Sequence, residues 1–563
     1  MLSSDFQNQD DFELFKEVIA QPLPTAFRIN PTSPNAQKIV QILENQTLMD
    51  EYFFQNHLAD KEEQEEPQDN PLPSLDPTTD TGTQEGDQTP KKDHYLLKKQ
   101  VTAKRAQFYP NGYAFHLNVS RRELKKCKRL KRMHKFLQVT ADCGLVTRQE
   151  LVSMLPPLFL DIQPNDLILD MCAAPGSKTT QILEFLAKSG NLEGGVLAND
   201  VNKKRAFMLT RQMKRISFPG MGVVNHEGQF LPTIYDDSDL TLTRFDRKIY
   251  FNKVLVDVPC SGDGAIRKLP IKWREWSAKE AIDLHGIQKK LLKRALQLVE
   301  VGGIVVYSTC SMNPVENEAV VASVMGSVTV EGCLELLDPR EMVDLKDFKT
   351  RAGLSKWSLL VEKEGDRVEL TNQEGKEYAT EDLFRIFDQY EDGLKEIDNK
   401  IEESMFPLLE AKMDAMRIDR AMRVLPHDQD TGGFFLAVIR KKSLVYFENQ
   451  KKRANLENKE TKNNVEDAKE GNEASEEQGM EDIGVQALLE SKNQSKTNIE
   501  ENGGMELEDG LEDGEGSLDG TKEAKNDTKE PLLEGEFHRI EIARPDDWQL
   551  IQSYYDLDEV KND

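Results

Sequence analysis

Leu167-Ile168-Leu169-Asp170-Met171-Cys172-Ala173-Ala174-Pro175-Gly176-Ser177-Lys178-Thr179-Thr180-Gln181 is the segment of this 563-residue chain that most strongly indicates its fold. Its apolar start predicts a buried strand, its small residues predict a tight turn, and the apolar residues that follow predict a helix from Thr179 to about Lys188. In an open α/β sheet, such a turn binds a ligand beyond the carboxyl end of the strand. One turn alone is weak evidence, because many α/β proteins contain one.

Three later apolar segments also end in residues with chemical function. Gly195-Val196-Leu197-Ala198-Asn199-Asp200 ends in an acid that can accept hydrogen bonds from both ribose hydroxyls of a nucleoside cofactor. The other two segments continue into Pro259-Cys260 and Thr309-Cys310. Because neighbouring strands lie about 4.8 Å apart, both thiols are expected at the same sheet edge as the cofactor turn.

The spacing of the apolar segments predicts a doubly wound α/β sheet with helices between its strands, ending near Met325. A long helical stretch is predicted from Thr380 to Ile418, and a last strand from Phe434 to Arg440. The predicted strands of the core are 167–171, 195–199, 221–225, 252–258 and 303–308.

Several ordered motifs resemble those of the Nol/Nop/Sun family of RNA cytosine-5 methyltransferases. They are Asp170 to Gln181, Asp257 to Gly264 and Ser308 to Glu318. Arg148 to Pro157 and Met422 to Phe435 resemble the eukaryotic multisite transfer-RNA branch. The match covers roughly residues 95–440 and a weaker piece at 21–30.

The resemblance implies a Rossmann-like class I methyltransferase core that uses S-adenosyl-L-methionine. The implied sheet is seven-stranded and mostly parallel, and one strand of its closing pair is antiparallel. Transfer RNA is the implied substrate, with other RNA classes as the alternative. The implied location is the nucleus, with the nucleolus as an alternative.

Cytosine-5 methylation requires a thiolate, because carbon 5 becomes nucleophilic only after a thiolate adds to carbon 6. A base must then remove the carbon-5 proton so that the thiol can leave. In the resemblance, Cys310 is the nucleophile and Cys260 assists resolution and release of the RNA. Asp257 accepts from the cytosine amino group or approaches the methyl-bearing end of the cofactor.

The cofactor-binding residues that the resemblance implies lie in the turn and at three strand ends. Asp170 either orients the turn or lies near the methionine amino group. Lys178 pairs with the cofactor carboxylate or with an RNA phosphate, or it is a solvated lysine. A cation is mildly unfavourable in the first turn of a helix, and this favours a functional role for Lys178. Glu227 stands where relatives usually have Asp, and it remains an acceptor for the adenine amino group. The whole set is Cys172, Ala173, Ala174, Pro175, Gly176, Ser177, Lys178, Asp200, Glu227 and Asp257.

The cysteines allow two other interpretations. Free cysteines are often buried structural residues, but two cysteines that follow Pro and Thr at consecutive strand ends disfavour this. A zinc site with Cys172 is disfavoured because no histidine has close ligand spacing, so no metal is predicted. His226 and His285 lack a partner motif, and structural roles are favoured for both.

RNA contact is predicted for Arg121 to Lys135, where nine of fifteen residues are basic. Apolar residues recur at helical spacing through this segment, so it is predicted to be one helix with a basic face. A solvated face and a nuclear import signal are the alternatives. Arg28, after an extended proline segment, is predicted either to contact phosphate or to be an ordinary surface arginine.

The net charge of −27 would argue against a nucleic-acid-binding protein if it were spread evenly. Residues 60–90 carry −9 and residues 451–530 carry −12, so only −6 belongs to the remaining residues. Both acidic segments are poor in aromatic residues and cannot bury enough apolar surface to fold alone, which predicts disorder.

Composition and the resemblance together predict a modular chain. No signal peptide and no membrane segment are expected, and six cysteines without paired spacing favour a reducing compartment. The last ordered segment is too short for the RNA-binding region of long family members. The predicted units are an N-terminal subdomain segment 1–57, an acidic linker 58–92, a basic RNA-binding subdomain 93–160, the catalytic domain 161–442, an acidic tail 443–534 and a C-terminal segment 535–563.

The leading hypothesis is an RNA cytosine-5 methyltransferase. The first rival, a DNA cytosine-5 methyltransferase, would take its nucleophile from Pro259-Cys260 and would not need Cys310. The second rival is a non-catalytic RNA-binding scaffold, which the intact cysteines, Asp200 and cofactor turn disfavour.

Overall fold

The computed structural model describes residues 8–54, 100–190, 192–216, 218–236, 241, 247–362, 384–391 and 394–447. The predicted linker 58–92 and C-terminal segment 535–563 lie outside the described residues, as does the predicted tail beyond Phe447. Of the helices within these ranges, none combines the length and the hydropathy that a membrane-spanning helix requires.

The strands are β1 (Pro24–Ile29), β2 (Ala103–Arg105), β3 (Ala114–Ser120), β4 (Val146–Arg148), β5 (Leu167–Asp170), β6 (Gly195–Asn199), β7 (Met221–Val224), β8 (Ile234–Tyr235), β9 (Lys248–Ile249), β10 (Phe251–Asp257), β11 (Val299–Thr309), β12 (Leu334–Leu337), β13 (Arg351–Ala352), β14 (Leu359–Glu362), β15 (Phe384–Phe387), β16 (Met422–Val424) and β17 (Phe434–Lys441). The α-helices are Gln9–Ile19, Ala36–Glu44, Gln46–Phe53, Arg121–Lys126, Lys131–Asp142, Leu155–Leu158, Ser177–Lys188, Lys203–Met213, Lys272–Glu275, Ala278–Leu298, Glu318–Gly326, Pro339–Met342, Leu394–Ile397, Glu410–Met416 and Pro426–Gln429.

The N-terminal part forms an antiparallel sheet with the strand order β2-β3-β1-β4. One of its two central strands, β1, comes from the first described range, and the other three strands come from the second. One apolar cluster joins the sheet to its helices, and it includes Phe27, Ile39, Phe115 and Phe136. The two ranges therefore fold around a shared core.

The larger sheet has the order β13-β16-β17-β11-β10-β5-β6-β7, with β12 also paired to β17. Strands β7, β6, β5, β10 and β11 run parallel to one another, and β17 pairs with β11 in the antiparallel direction. The predicted core strands, the doubly wound class and the antiparallel closing strand are confirmed. The sheet has nine strands rather than seven because β16 and β12 pair with successive halves of β17, and the two-residue β13 pairs with β16.

Alternate side chains of the central strands enter two apolar cores on opposite faces of this sheet. Leu169 and Val254 pack on one face with the helix Ala278–Leu298. Ile168 and Leu255 pack on the other face with the helix Ser177–Lys188. Both faces of the strands are covered, so their carboxyl ends are the accessible part of this region.

The basic segment differs from the single helix that the sequence predicts. One helix, Arg121–Lys126, begins with a capping box of Ser120 and Glu123 and ends where Cys127 is extended, with φ −79° and ψ 120°. A short 3-10 turn and the helix Lys131–Asp142 follow. Because an α-helix has 3.6 residues per turn, residues at a spacing of three shift progressively to another side of the helix. Leu124 and Leu130 would therefore lie on different sides of an unbroken helix, and one of them would be exposed. The break allows both to be buried.

The predicted long helix from Thr380 to Ile418 is also wrong. Its described residues include β15, which pairs antiparallel with β14. The helices Leu394–Ile397 and Glu410–Met416 are short and separate. Phe384 to Phe387 is rich in aromatic residues, which favour strands, and Pro407 cannot donate the backbone hydrogen bond that a continuous helix needs.

The predictions that Arg28 contacts phosphate or is an ordinary surface arginine are both wrong, because its side chain is fully buried. Its guanidinium forms an ion pair with Glu184, which is also fully buried, on the helix that follows the cofactor turn. It also donates to Gln149 Oε1 at 2.7 Å, Thr180 Oγ1 at 2.7 Å and Ser177 O at 2.9 Å. Arg28 therefore joins the N-terminal sheet to the first turns of the cofactor helix.

We expect Arg28→Met to lower the free energy of unfolding by about 3–5 kcal/mol, because the Glu184 carboxylate would stay buried without its partner. Arg28→Met/Glu184→Leu should recover part of this loss. The control is Lys356→Met, which breaks an ion pair whose side chains are 71% and 66% exposed. It should cost at most about 1 kcal/mol. Urea unfolding measures all three, and an Arg28→Met cost no larger than the control would contradict the argument.

Candidate active site

The four strand ends that carry the sequence motifs lie side by side in the sheet. β5 lies between β6 and β10, and β10 lies between β5 and β11. In this register, Asp170 is paired with Leu255 and Ala198, and Asp257 is paired with Ser308. The predicted meeting of the cofactor turn and the two cysteine segments at one carboxyl edge is confirmed.

The cofactor turn is held by backbone contacts to the next strand. Ala173 N donates to Asn199 O at 2.8 Å, and Ala174 N donates to Asp200 Oδ2 at 3.2 Å. Gly176 has a φ of +107°, and a Cβ there would come within 2.9 Å of Leu209 Cδ1. Only glycine suits this position, so the turn passes directly into the helix that begins at Ser177.

Asp200 is buried at the end of β6 and fastens the turn to the next helix. Its Oδ1 accepts from Asn202 N at 2.9 Å, and Arg205 lies 3.3 Å from its Oδ2. Arg205 also donates to Ala174 O. The Asp200 carboxylate is thus fixed beside the turn, where the resemblance implies an acceptor for the ribose hydroxyls of the cofactor.

Glu227 follows β7 and is exposed. Its Oε2 accepts from Gln229 Nε2 at 2.6 Å. Asn199 donates to His226 O at 2.9 Å, and Asn225 donates to Asp200 O at 2.6 Å. Two asparagines therefore tie the ends of β6 and β7 together, and this brings Glu227 into the same edge as Asp200.

The two histidines differ in environment. His226 is exposed. His285 is fully buried, with its ring nitrogens 2.7 Å from Val315 O and 2.8 Å from Ser404 Oγ. Burial lowers the pKa of His285 to about 4, so it is neutral near pH 7. These contacts agree with the structural role favoured for His285.

Asp170 lies beneath the turn and is almost completely buried. Thr179 Oγ1 donates to its Oδ2 at 2.7 Å, which fits the predicted role of orienting the turn. Its Oδ1 is buried without a hydrogen-bond partner among the described residues. Burial raises the pKa of Asp170 to about 7. An unsatisfied carboxyl oxygen beside this turn suits a ligand that donates a hydrogen bond.

Lys178 reaches across the edge to Asp257, with Nζ 2.7 Å from Oδ2. Ser308 Oγ donates to the other oxygen of Asp257 at 2.7 Å. Burial alone would lower the pKa of Lys178, but Asp257 outweighs it and raises the pKa, and the neighbouring Cys310 acts in the same direction. Lys178 therefore remains a cation beside Cys310. Among the described residues, the ion-pair partner of Lys178 is Asp257. This ion pair offsets the unfavourable position of a cation in the first turn of a helix.

The two thiols at the ends of β10 and β11 are in contact, with Cys260 Sγ 3.3 Å from Cys310 Sγ. Both residues are partly exposed. The neighbouring Cys310 and burial raise the pKa of Cys260 well above the usual value for a thiol. Cys260 is therefore a protonated thiol at neutral pH in contact with the Cys310 thiol.

Residues 157–344 match the family model described as 16S rRNA methyltransferase RsmB/F. A tRNA (cytosine(49)-C(5))-methyltransferase of Pyrococcus abyssi is 30% identical over 298 residues, which cover 53% of this chain and 71% of that protein. The chain belongs to the Nol/Nop/Sun family of RNA cytosine-5 methyltransferases.

Two longer relatives of this RNA methyltransferase family match more of the chain. A Drosophila melanogaster tRNA (cytosine(34)-C(5))-methyltransferase is 35% identical, over 78% of this chain and 51% of its own length. A Schizosaccharomyces pombe multisite-specific tRNA:(cytosine-C(5))-methyltransferase is 36% identical, over 77% of this chain and 56% of its own length. The chain therefore spans about half the length of these two proteins.

Glu316 is a further residue of this family member's site that the sequence reasoning missed. Its fully buried carboxylate accepts from Ser261 N at 2.8 Å, Ser261 Oγ at 2.5 Å, Ser311 Oγ at 2.7 Å and Gln288 Nε2 at 3.0 Å. Ser261 follows Cys260, and Ser311 follows Cys310. One carboxylate therefore holds both cysteine segments, but an acid in Asn313-Pro314-Val315-Glu316 gives no local signal of this.

Cys172, at the end of β5, is the third strand-end cysteine. Burial, followed by the charge of Asp170, raises the pKa of its thiol. Among the described residues, the single group with metal-ligand geometry is Asp11, His427 and Asp428, which contains none of these cysteines. Arg351 donates to both carboxylates of that group. Its positive charge offsets one of the two carboxylate charges and opposes binding of a cation there.

Glu316→Gln should loosen the two cysteine segments, because an amide donor would replace one carboxylate oxygen facing Ser261 and Ser311. We expect the pKa of Cys260 to fall as its thiol separates from that of Cys310, so iodoacetamide should alkylate Cys260 several-fold faster at pH 8. Peptide mass spectrometry measures this rate for each thiol. Glu341→Gln, at an exposed glutamate, is the control. An alkylation rate equal to that of the control would show that Glu316 does not set the distance between the thiols.

Proposed function

We propose that this chain methylates carbon 5 of cytosine in RNA with S-adenosyl-L-methionine, and that transfer RNA is its substrate class. The observation that carries the proposal is the contact between Cys260 and Cys310 beside the cofactor turn. The similar proteins named as transfer-RNA cytosine-5 methyltransferases support the choice of substrate.

The residues around the turn fit S-adenosyl-L-methionine. The Asp200 carboxylate suits the two ribose hydroxyls, and exposed Glu227 suits the adenine amino group. The unsatisfied Oδ1 of Asp170 suits the methionine ammonium. When bound, the cofactor supplies a methyl group that carbon 5 can attack. Residues 172–178 provide small side chains and a helix N-terminus against which it can lie.

Cys310 is the proposed nucleophile, as the family resemblance implies, and its Sγ lies 3.3 Å from that of Cys260. The Cys310 thiol loses its proton to solvent, and its thiolate adds to carbon 6 of cytosine. The electron pair of the 5,6 double bond then becomes available at carbon 5, which can attack the methyl group. Asp257, fixed by Lys178 and Ser308, is placed to accept from the cytosine amino group. Lys178 and Ser308 together therefore orient the Asp257 carboxylate.

Cys260 is the proposed group for proton removal and release. Its pKa is raised first of all by Cys310. Once the Cys310 sulfur is bonded to carbon 6, it no longer carries a charge, so the pKa of Cys260 falls toward the usual value. Cys260 first loses its own proton to solvent, and its thiolate then accepts the carbon-5 proton. The electron pair of the broken carbon–hydrogen bond re-forms the 5,6 double bond, the Cys310 sulfur leaves carbon 6 as a thiolate, and methylated RNA is released.

The proposed RNA surface begins with the basic segment of the N-terminal part. Its apolar residues Leu124, Leu130 and Met133 are buried. Its exposed lysine and arginine side chains are accessible to the phosphates of RNA. We also propose nuclear residence, with the same exposed bases serving as an import signal. The exposed members are Arg121, Arg122, Lys125, Lys126, Lys128, Lys131 and Lys135.

Cys310→Ala should form neither an RNA adduct nor methylated RNA, because the attacking sulfur is missing. Cys260→Ala should still attack and transfer the methyl group, but proton removal is impaired, so an enzyme–RNA adduct should accumulate. The measurement is denaturing electrophoresis after incubation with the labelled cofactor and bulk transfer RNA. Cys143→Ala, at a cysteine outside the site, is the control and should behave as the unmodified protein.

An adduct that accumulates in Cys310→Ala and is absent from Cys260→Ala would reverse the assignment and favour the order expected of a DNA cytosine-5 methyltransferase. Binding of transfer RNA without any methyl transfer by the unmodified protein would favour a non-catalytic scaffold.

A further inference from the structure

The helix Lys203–Met213, called here the second basic helix, has a composition unlike the rest of this acidic chain. From Lys203 to Arg215 the chain holds six basic residues and no acidic residue. Its buried face consists of Ala206, Leu209 and Met213. The remaining positions give a second cationic surface, separate in sequence from the basic segment 121–135.

An exposed aromatic residue lies in the middle of this surface. Phe207 is 67% exposed and Met208 is 54% exposed. Lys203, Phe207 and Arg211 are spaced by four residues and therefore lie along one stripe. Lys214, seven residues after Phe207, continues the stripe. The side chains of Lys203, Arg211 and Lys214 are all exposed. An aromatic ring flanked by cations is the arrangement that binds an unpaired nucleotide, with its base on the ring and its phosphates on the cationic side chains.

The cations at the start of this helix oppose its own stability. Lys203, Lys204 and Arg205 occupy the first turn, which contains no acid. The partial positive charge at a helix N-terminus makes cations unfavourable there. Arg205 is compensated by Asp200. No ion pair within the described residues involves Lys203 or Lys204, so an external anion is the partner that their charges suit.

The second basic helix is also continuous with the first basic surface and with the cofactor turn. At its end, Arg215 donates to Ala141 O at 3.0 Å and to Asp142 Oδ1 at 2.9 Å, at the end of the helix Lys131–Asp142. On its buried face, Leu209 packs against Gly176 of the cofactor turn. The helix therefore connects the first basic surface with the turn beside the thiols, over a length of about 18 Å.

We propose that the second basic helix binds an unpaired nucleotide of the substrate RNA, with the base stacked on Phe207 and flanking phosphates on Lys203, Arg211 and Lys214. This inference rests on the proposed function for its choice of RNA. The surface favours RNA over an acidic protein segment because an exposed phenyl ring adds stacking to the charge complementarity.

The test compares three variants by fluorescence anisotropy with an unpaired RNA oligonucleotide and with a fully paired RNA duplex. Phe207→Leu keeps an apolar side chain but removes the ring, and Phe207→Tyr keeps the ring. The third variant is Lys203→Ala/Arg211→Ala/Lys214→Ala. Leu409→Ala and Lys412→Ala change an exposed leucine and an exposed lysine on the helix Glu410–Met416 or next to it, and serve as matched controls.

Phe207→Leu should weaken binding of the unpaired RNA by roughly 5- to 150-fold, the equivalent of about 1–3 kcal/mol for one stacked base. Its affinity for the duplex should not change, and Phe207→Tyr should bind as the unmodified protein does. The triple variant should make the slope of log affinity against log salt shallower by about 0.7–0.9 for each phosphate that is no longer neutralised. Unchanged thermal midpoints and S-adenosyl-L-methionine affinity would exclude misfolding as the cause.

Equal affinity of Phe207→Leu and the unmodified protein for the unpaired RNA would overturn the proposal, as would an unchanged salt slope in the triple variant. Retained RNA binding together with abolished binding of an acidic peptide would assign the surface to a protein instead. Methyl transfer by the unmodified protein is measured separately. Its absence would remove the proposed function, whereas the binding comparison would still decide whether the helix contacts RNA.

Discussion

The parallel pairing of β10 with β11 is the constraint on which the chemistry of this chain depends. It aligns Asp257 with Ser308, and the two segments that leave these strands then turn toward each other. Glu316 holds both turns, because it accepts hydrogen bonds from the residue after each cysteine, Ser261 and Ser311. The contact between the two thiols, and with it the raised pKa of Cys260, follows from this one buried carboxylate and the strand register.

A second buried charge joins this edge to the N-terminal sheet. Arg28 lies on β1, yet its guanidinium ends at Glu184, Thr180 and Ser177 of the helix that follows the cofactor turn. The second basic helix packs against the same turn through Leu209 and Gly176. Surfaces proposed to hold RNA thus contact the elements proposed to hold the cofactor.

The sequence predicted those features that follow from local pattern. Apolar runs located the core strands, and the common edge of a parallel sheet predicted that Cys260 and Cys310 would meet. It failed where the outcome depends on distant partners, because Arg28 is buried against a glutamate 156 residues away and Glu316 is buried between two turns. It also failed where spacing by three imitates a helix, since Cys127 interrupts the basic segment so that Leu124 and Leu130 can both be buried.

The central claim is that the sulfur of Cys310 bonds to carbon 6 of cytosine. Transfer RNA that contains 5-fluorocytidine tests it most directly, because the carbon–fluorine bond cannot be broken in the step that removes the carbon-5 proton, so the adduct persists. Proteolysis and mass spectrometry then identify the cysteine that carries the nucleotide. We expect the nucleotide on the peptide that contains Cys310. A nucleotide on the peptide of Cys260, or an adduct that forms equally in Cys310→Ala, would contradict it.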